Sequence, residues 1–273
     1  MPEGPEIRRA ADAVAAVLVG REIVEAESTM PQLRRLGSRV SGATVAAVDT
    51  RGKAMLTRFD NGLTLYSHNQ LYGRWYTLPR PRLPETRRQL RVALHTSTHS
   101  ALLYSATDIQ LLSEAELASH PFLRRVGPDI LDPGLGVERV MERLVAKPFG
   151  NRALCGLYLD QAFLAGIGNY LRSEILWAAG IDPAARPAEL DAGSLRRLAR
   201  ETLRISRRSY RTRGVTAPPA AVKHRRQQGM GFEDYRFQVY DRAGLECYVC
   251  GSRIERRTAG SRSLFTCAVC QAA

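Results

Sequence analysis

Apolar residues recur at helical spacing in the first stretch of the chain and at strand spacing in the next. From Ile7 to Leu18 they repeat every three or four residues, which predicts an amphipathic helix over residues 5–19. Up to about residue 112, segments rich in β-branched and aromatic residues are separated by turn-like breaks; they read TVAAVDTRG, AMLTRFDNGLTLYSH, GRWYTL, LRVALHTSTHSALLYSA and DIQLL. Several short strands with such breaks favour a β-sandwich or a barrel.

The pattern changes at VGPDILDP, residues 126–133, where prolines and aspartates crowd together as in an interdomain linker. Beyond it the spacing is helical in GVERVMERLVA, RALCGLYLDQAFLA, YLRSEILWAAG and AGSLRRLARETLRISRRSY. Residues 214–231, GVTAPPAAVKHRRQQGMG, predict a mobile loop. A β-rich part followed by a helical part predicts an α+β protein of two domains, for which 273 residues are enough.

Positive charge is concentrated in the last third of the chain. The formal net charge is +13, and residues 191–273 carry 17 basic against seven acidic side chains. This asymmetry favours a polyanionic partner, because each neutralised phosphate releases counterions and adds affinity; a merely solvated Arg-rich surface is the alternative. Only Lys53, Lys147 and Lys223 are lysines. A lysine in so Arg-rich a chain suits a position that needs a compact charge or a deprotonatable amine.

Four of the five cysteines form two C-x-x-C pairs near the end of the sequence. Cys247 and Cys250 make the first pair, and Cys267 and Cys270 make the second. The spacing predicts one tetrahedral Zn²⁺ site with four thiolate ligands rather than two disulfides. Cys155, in the apolar run LCGLYL, is expected in the core. The start of the sequence does not resemble a secretory leader and no early stretch is long enough to span a bilayer, so a cytoplasmic location is expected.

The second residue is a proline, which would begin the mature chain once Met1 is removed, as is expected before a small residue. A free N-terminal proline is a secondary amine that can attack a sugar C1′ and form an iminium. Its amine would titrate near about 8, which leaves a useful neutral fraction. Glu3 and Glu6 offer carboxylates for proton transfer. The alternative interpretation of MPEGPE is an ordinary first helical turn.

Three further motifs suit contacts with sugar or phosphate. Lys53 enters a strand after Arg51-Gly52 and could hold a phosphate. Alternatively, it could only prevent association of the sheet edge with another strand. In LDQAFLAGIGNYLRSEILW a Gly-rich turn leads to Asn169 at a helix start, where bare N–H groups attract phosphate; an ordinary helical hairpin is the alternative. Between the cysteine pairs, arginines could bind phosphates, or the zinc ribbon could be purely structural; they are Arg253, Arg256, Arg257 and Arg262.

These features occur together, in this order, in one known family. The chain resembles the formamidopyrimidine-DNA glycosylase / endonuclease VIII family over its whole length, and within it the bacterial endonuclease VIII branch. The resemblance rests on MPEGPEIRRAAD, TRGKAMLTRFDNGLTLYSHNQLYGRW, LLYSATDIQLL, HPFLRRVGPDILDP, LDQAFLAGIGNYLRSEILW and the terminal C-x₂-C-x₁₆-C-x₂-C. It implies an N-terminal β-sandwich with a leading helix, a helix–two-turn–helix domain and a C-terminal zinc-finger hairpin, with DNA in a cleft between domains. The implied division is a catalytic domain at 1–124, a linker at 125–133, the helical domain at 134–235 and the zinc finger at 236–273.

The resemblance also implies roles for individual residues in base-excision repair. Pro2 would attack C1′ of the damaged nucleotide, Glu3 would protonate the deoxyribose ring oxygen, and Lys53 would contact the sugar–phosphate. The flipped-out nucleotide would lose its base, and β- and δ-elimination would cut the strand. The other implied residues are Gln70, Leu71 and Tyr72, which would fill the hole in the duplex; Asn169 and Arg262, which would bind phosphates; and Glu174, which would support catalysis near the lesion.

Two departures from the family pattern bear on specificity. Ser263 follows Arg262 where the family often has a proline, and residues 214–235 form a longer segment than is expected for endonuclease VIII. In formamidopyrimidine-DNA glycosylases this region covers a flipped oxidised purine. The leading hypothesis is a monomeric, zinc-containing glycosylase and AP lyase for oxidised pyrimidines such as thymine glycol. The alternatives are a glycosylase for oxidised purines and a DNA-binding protein without catalysis, which would not need Pro2, Glu3 and Lys53 together.

Overall fold

A computed structural model describes residues 2–272 and divides them into two compact units, the first ending at Val126 and the second beginning at Gly127. The strands are β1 (Glu25–Ser28), β2 (Val45–Arg51), β3 (Ala54–Phe59), β4 (Thr64–His68), β5 (Arg74–Pro79), β6 (Leu90–His95), β7 (His99–Tyr104), β8 (Asp108–Leu112), β9 (Glu255–Ala259) and β10 (Arg262–Thr266). The α-helices are α1 (Gly4–Leu18), α2 (Leu36–Val40), α3 (Glu114–Ser119), α4 (Pro121–Arg125), α5 (Val137–Val145), α6 (Leu154–Leu157), α7 (Asn169–Ala178), α8 (Ala192–Arg211), α9 (Pro219–Gln227) and α10 (Phe232–Tyr235).

The first unit is a sandwich of two four-stranded antiparallel sheets. The strand order is β1-β6-β7-β5 in one sheet and β2-β3-β4-β8 in the other. Inward-facing side chains such as Leu65, Leu94 and Leu103 are wholly buried and share one core with the apolar face of α1. Burying each leucine contributes about 2 kcal/mol. The leading helix, predicted from the spacing of apolar residues, is therefore confirmed, and so is the sandwich, which the spacing left open beside a barrel and the family resemblance implied.

Helices α3 and α4 cover the outer face of the β2-β3-β4-β8 sheet. Leu56 and Tyr66 on that face pack against Leu117, Phe122 and Leu123. Both faces of β3 and β4 are consequently shielded from water, which explains why nearly every residue of these strands is buried. This packing holds the ends of β3 and β4, where the residues of interest lie.

One strand of the sandwich was not predicted. In β1 only Ala26 joins the core, so the segment EAES shows no alternation of apolar and polar side chains. The strand is held by its pairing with β6, in which Glu25 lies opposite His95 and Ser28 opposite Val92. Long-range pairing of this kind leaves no local trace in the sequence.

The second unit is built on α5, α7 and α8, whose apolar faces share one core. The segment predicted as a linker packs into this unit: Ile130 is wholly buried, and the Ala165 N–H donates to the Pro128 carbonyl at 2.8 Å. The finer division into four segments stays a prediction. Within residues 2–272, no helix is both long enough and apolar enough to cross a membrane.

Two segments of the second unit differ from the sequence prediction. RALCGLYLDQAFLA contains only the short α6, because polar side chains cap the turns that follow: Asp160 accepts from the Ala162 N–H at 2.8 Å, and Gln161 accepts from the Gly166 N–H at 3.0 Å. Cys155 in this helix is half-buried rather than in the core. Residues 214–235 contain α9 and α10, so the prediction of a loop there is wrong.

Candidate active site and metal centre

Pro2 and Glu3 lie immediately before α1, at the positive end of its dipole. Glu3 is the N-cap residue, is only 2% exposed, and donates its backbone N–H to the Glu6 carboxylate at 2.9 Å. This reciprocal arrangement is a capping box, which fixes the direction in which the chain enters the helix. The half-buried Pro2 is thus attached to a helix that is itself packed on the sandwich.

Lys53 follows the tight turn between β2 and β3. Gly52 adopts a φ of +62°, which a residue with a side chain rarely does, and Lys53 leaves this turn half-buried. Ala54, the next residue, pairs with His68 at the end of β4. The pairing brings Lys53 near His68, and the positive charge of Lys53 is one cause that lowers the pKa of that imidazole.

His68 is a residue of this site that sequence reasoning missed. Burial is the main cause that lowers its pKa below the ordinary value, with Asp108 acting in the opposite direction. Its Nδ1 accepts a hydrogen bond from the Gln70 N–H at 3.2 Å, which requires an unprotonated Nδ1. The ring also lies edge-on to Phe122, with 6.1 Å between ring centroids. His68 therefore connects Lys53 with the turn that follows β4.

That turn presents Leu71 and Tyr72 to solvent on a rigid base. The Gly73 N–H donates to the Asn69 carbonyl at 2.7 Å, and a Cβ at Gly73 would lie 2.5 Å from the same oxygen, so only glycine fits. Thr107 donates its hydroxyl to the Gln70 side-chain oxygen. Leu71 is 54% exposed and Tyr72 is 67% exposed. Large apolar side chains held out in this way are typical of wedges inserted between bases.

The pH dependence of His68 gives a testable prediction. Because its folded-state pKa is lowered, the stabilisation that it provides is present above the unfolded value of about 6.5 and is lost as the pH falls. His68→Asn should therefore make the loss of unfolding free energy between pH 7 and pH 5 smaller than in the parent, measured by urea denaturation. His224→Asn, at an exposed position on α9, is the matched control and should leave the loss unchanged. An unchanged loss in His68→Asn would contradict this assignment.

In the second unit, a wholly buried arginine joins the two residues predicted to bind phosphate. Arg172 donates to the Asn169 side-chain oxygen at 2.6 Å, to the Ser263 carbonyl at 2.9 Å and to the Cys155 carbonyl at 2.8 Å. Asn169 begins α7, and Arg262, the neighbour of Ser263, is exposed at the start of β10. The structure thus brings Asn169 and the strand of Arg262 together. Sequence reasoning missed Arg172, because its partners lie far apart along the chain.

Glu174 is buried and holds a backbone segment in place. Its carboxylate accepts hydrogen bonds at 2.6–2.9 Å from four donors, which are the N–H groups of Gln238, Val239 and Tyr240 and the hydroxyl of Thr216. A buried carboxylate needs such partners, since an unsatisfied one would cost several kcal/mol. These contacts are those of a residue that positions the chain ahead of the cysteine pairs. Its predicted catalytic role stays a prediction.

The four cysteines of the two C-x-x-C pairs come together around one point. Their Sγ atoms all lie within 4.8 Å of one another, with 3.8 Å between Cys247 and Cys270 and 3.4 Å between Cys250 and Cys267. A tetrahedral Zn²⁺ with Zn–S bonds of about 2.3 Å requires sulfur atoms about 3.8 Å apart. The arrangement therefore fits a tetrahedral metal ion, and β9 and β10 form the hairpin between the two pairs.

Two family models match the chain. The Formamidopyrimidine-DNA glycosylase N-terminal domain matches residues 1–109, and the Formamidopyrimidine-DNA glycosylase H2TH domain matches residues 126–217. The chain belongs to the formamidopyrimidine-DNA glycosylase family. Within this family, Endonuclease 8 of Escherichia coli is 49% identical over 271 residues, which cover 99% of this chain and 100% of that protein. Endonuclease 8 of Shigella sonnei matches to the same extent.

Solved structures of the family share the whole fold. Lactococcus lactis Fpg (MutM) in complex with DNA containing N7-benzyl-Fapy-dG has a TM-score of 0.81 at 21% identity, with both chains covered in full. The complex of the same enzyme with DNA containing an oxidised pyrimidine gives the same values. MutM with DNA containing carbocyclic 8-oxo-G has a TM-score of 0.80. The predicted fold class is thereby confirmed, and the predicted family is confirmed by the family models and by the 49% identity with Endonuclease 8.

Proposed function

We propose that the chain is a base-excision DNA glycosylase and AP lyase that acts on oxidised bases in double-stranded DNA. The observation that carries the proposal is the full-length likeness to Endonuclease 8 in a chain whose Pro2 stands at the start of α1, beside the buried Glu3. The positive end of the helix dipole disfavours a second positive charge there, which favours the neutral, nucleophilic form of an amine.

The chemistry follows from an amine acting on a flipped-out nucleotide. The Pro2 nitrogen forms a bond to C1′ and loses its proton, while the bond from C1′ to the base breaks and the base leaves with the bonding electron pair and takes up a proton. Glu3 serves as the proton donor to the deoxyribose ring oxygen, so the sugar opens and a cationic iminium forms between Pro2 and C1′. The iminium acidifies the C2′ hydrogens, and successive β- and δ-elimination then release the phosphates on the two sides of the sugar. Lys53 holds the sugar–phosphate near this centre as a compact positive charge.

The DNA contacts are assigned to the two surfaces described above. Leu71 and Tyr72, with Gln70 beneath them, fill the space that the flipped nucleotide leaves in the duplex. Asn169 and Arg262 bind backbone phosphates. We assign the cysteine centre to one structural Zn²⁺ ion, which when bound supplies folding energy to the hairpin that carries Arg262. We propose that the protein acts as a monomer and, since its relatives are bacterial, that it meets its DNA substrate in the cytoplasm.

A salt titration tests the phosphate assignment. Replacing Arg262 with alanine should weaken DNA binding at all sequences and lower the slope of log Kd against log salt concentration by about 1, because one phosphate contact fewer releases one counterion fewer. The matched control is Arg257→Ala, on the same hairpin, since Arg257 is already paired with Glu255 at 2.8 Å. Equal slopes for Arg262→Ala and Arg257→Ala would contradict a specific phosphate contact by Arg262.

The lesion class is decided by comparing substrates. We assign oxidised pyrimidines as the preferred substrates, and oxidised purines are the second candidate because residues 214–235 form a long, folded segment. Single-turnover base release and borohydride trapping on matched thymine-glycol, 8-oxoguanine and abasic duplexes separate the two. Faster excision of thymine glycol supports the first assignment, and faster excision of 8-oxoguanine supports the second. Absence of trapping on every duplex, the abasic one included, would rule out the enzyme and leave a DNA-binding protein.

A further inference from the structure

Helices α9 and α10 are held in the second unit by a buried arginine. Arg225, on α9, is only 4% exposed although it is one of the polar residues that predicted a loop. It donates to the Gln238 side-chain oxygen at 2.6 Å and to the carbonyls of Tyr235 and Phe237 at 3.3 and 3.4 Å. A buried guanidinium is costly unless it is paired in this way, so these contacts fix the position of α9.

The same guanidinium stacks on a tyrosine that stands between two of the predicted metal ligands. Tyr248 lies in the knuckle from Cys247 to Cys250, and the Cζ atom of Arg225 is 3.4 Å from its ring centroid. The Cζ atom of Arg242 is 3.5 Å from the same centroid. Two guanidinium groups cannot share one face of a ring at such distances, so they lie on opposite faces and clamp Tyr248 between them. Cation–π contacts are strengthened by withdrawal from water, and both arginines are buried although Tyr248 itself is 38% exposed.

Tyr248 also reaches the second helix, and both helices border a pocket. The Tyr248 hydroxyl donates to the Asp234 carbonyl of α10 at 3.1 Å. Residues of α9, of α10 and of the segment that follows α8 line an open pocket of about 830 Å³, with apolar walls that include Val215, Val222 and Phe232. The knuckle of the cysteine centre therefore contacts, through one side chain, both helices that shape this pocket.

We propose that the metal centre holds α9 and α10 in place through Tyr248, so that loss of the metal releases both helices and opens the pocket. Tyr248 is a positioning residue in this device, since it is not one of the four clustered cysteines and acts through its contacts with α9 and α10. The backbone of its knuckle is fixed when the four thiolates bind one ion, and the clamp transmits that order to α9. The proposal rests on the proposed metal centre but not on the proposed catalysis.

Hydrogen exchange read by mass spectrometry tests the device on the full chain, with zinc content measured on every sample. In zinc-loaded Tyr248→Ala, amides of residues 219–235 should exchange about tenfold faster, while those of β9 and β10 stay protected. Tyr248→Phe keeps the stacked ring and should remain close to the parent. The matched control is Val249→Ala, at the neighbouring position of the same knuckle, which is 68% exposed and should change nothing.

Metal removal and a variant outside the cysteine pairs complete the test. Chelation should raise exchange in residues 219–235 together with that of the β9–β10 hairpin. Arg225→Gln removes the stacked guanidinium together with its own hydrogen bonds to Gln238, Tyr235 and Phe237, so in the zinc-loaded protein it should raise this exchange at least as much as Tyr248→Ala does. Chelation of the parent decides the matter if Tyr248→Ala fails to retain zinc. Unchanged exchange of residues 219–235 after chelation, or in zinc-loaded Arg225→Gln, would overturn the proposal. Because exchange is measured without DNA, failure here is distinct from failure of the proposed enzyme activity.

Discussion

Replacing Pro2 with glycine is expected to abolish the covalent adduct that borohydride traps between the protein and an abasic duplex. Glycine keeps an N-terminal amine but changes it from secondary to primary and removes the ring that fixes its direction before α1. Loss of a covalent nucleophile lowers turnover by at least about a thousandfold. We expect strand cleavage to fall by that amount in single-turnover assays, while binding to undamaged DNA stays within about twofold, since the charge of the protein is unchanged.

The adduct itself should identify the amine that forms it. Lys53 is the competing candidate, because a lysine can also form a Schiff base. Digestion of the trapped complex should place the modification on the peptide that begins with Pro2, and Lys53→Ala should lower the yield without moving the modification. Lys147→Ala, which removes an exposed lysine, is the matched control. A modification found on Lys53, or a Pro2→Gly protein that traps and cleaves like its parent, would contradict the assignment of the nucleophile.

Loss of the metal should have the largest effect on the structure of the second unit. The β9–β10 hairpin shares a small apolar cluster with its surroundings, whose buried members are Val239, Ile254, Phe265 and the cysteines Cys247 and Cys267. A structural zinc ion contributes apparent free energies on the order of 10 kcal/mol or more, far above what so small a cluster provides. We therefore expect chelation, or Cys247→Ser, to unfold the hairpin and to weaken DNA binding by at least about tenfold, because Arg262 loses its position.

The fifth cysteine provides the control for this experiment. Cys155 lies in α6, outside the group of clustered thiols. Cys155→Ser should retain one zinc per chain and bind DNA like the parent, as measured by atomic emission and by fluorescence anisotropy. Zinc-free protein that binds DNA with unchanged affinity would show that the hairpin does not need the metal.

The parts of the structure that the sequence predicts are those with a local signal. The face from Ile7 to Leu18 repeats at helical spacing, and the ends of α1 lie within one residue of those of the predicted helix 5–19. The spacing of the two C-x-x-C pairs predicts their clustering, because each pair forms a tight turn that presents two thiolates and two such turns complete a tetrahedron. The Gly-rich turn before Asn169 likewise marks the start of α7.

The parts that it does not predict depend on partners distant in the sequence. β1 exists through its pairing with β6, more than sixty residues later. α9 is helical in a segment whose composition favours a loop, and its buried Arg225 is stabilised by Tyr248 and Gln238. The buried Arg172 has partners on both sides along the chain, the farthest 91 residues away. No window of neighbouring residues contains these contacts, so no local pattern predicts them.

The contacts of Arg172 preorganise the surface that is proposed to bind DNA phosphates. One guanidinium holds both the Asn169 side chain and the Ser263 carbonyl, so the distance between Asn169 and the backbone that carries Arg262 is set when the protein folds. If both residues bind phosphate, they do so as a preorganised pair, because part of the conformational entropy cost of the second contact has already been met on folding. The affinity of this surface for DNA is then expected to depend on preorganisation as well as on charge. DNA whose phosphate spacing matches the distance between Asn169 and the start of β10 should bind best.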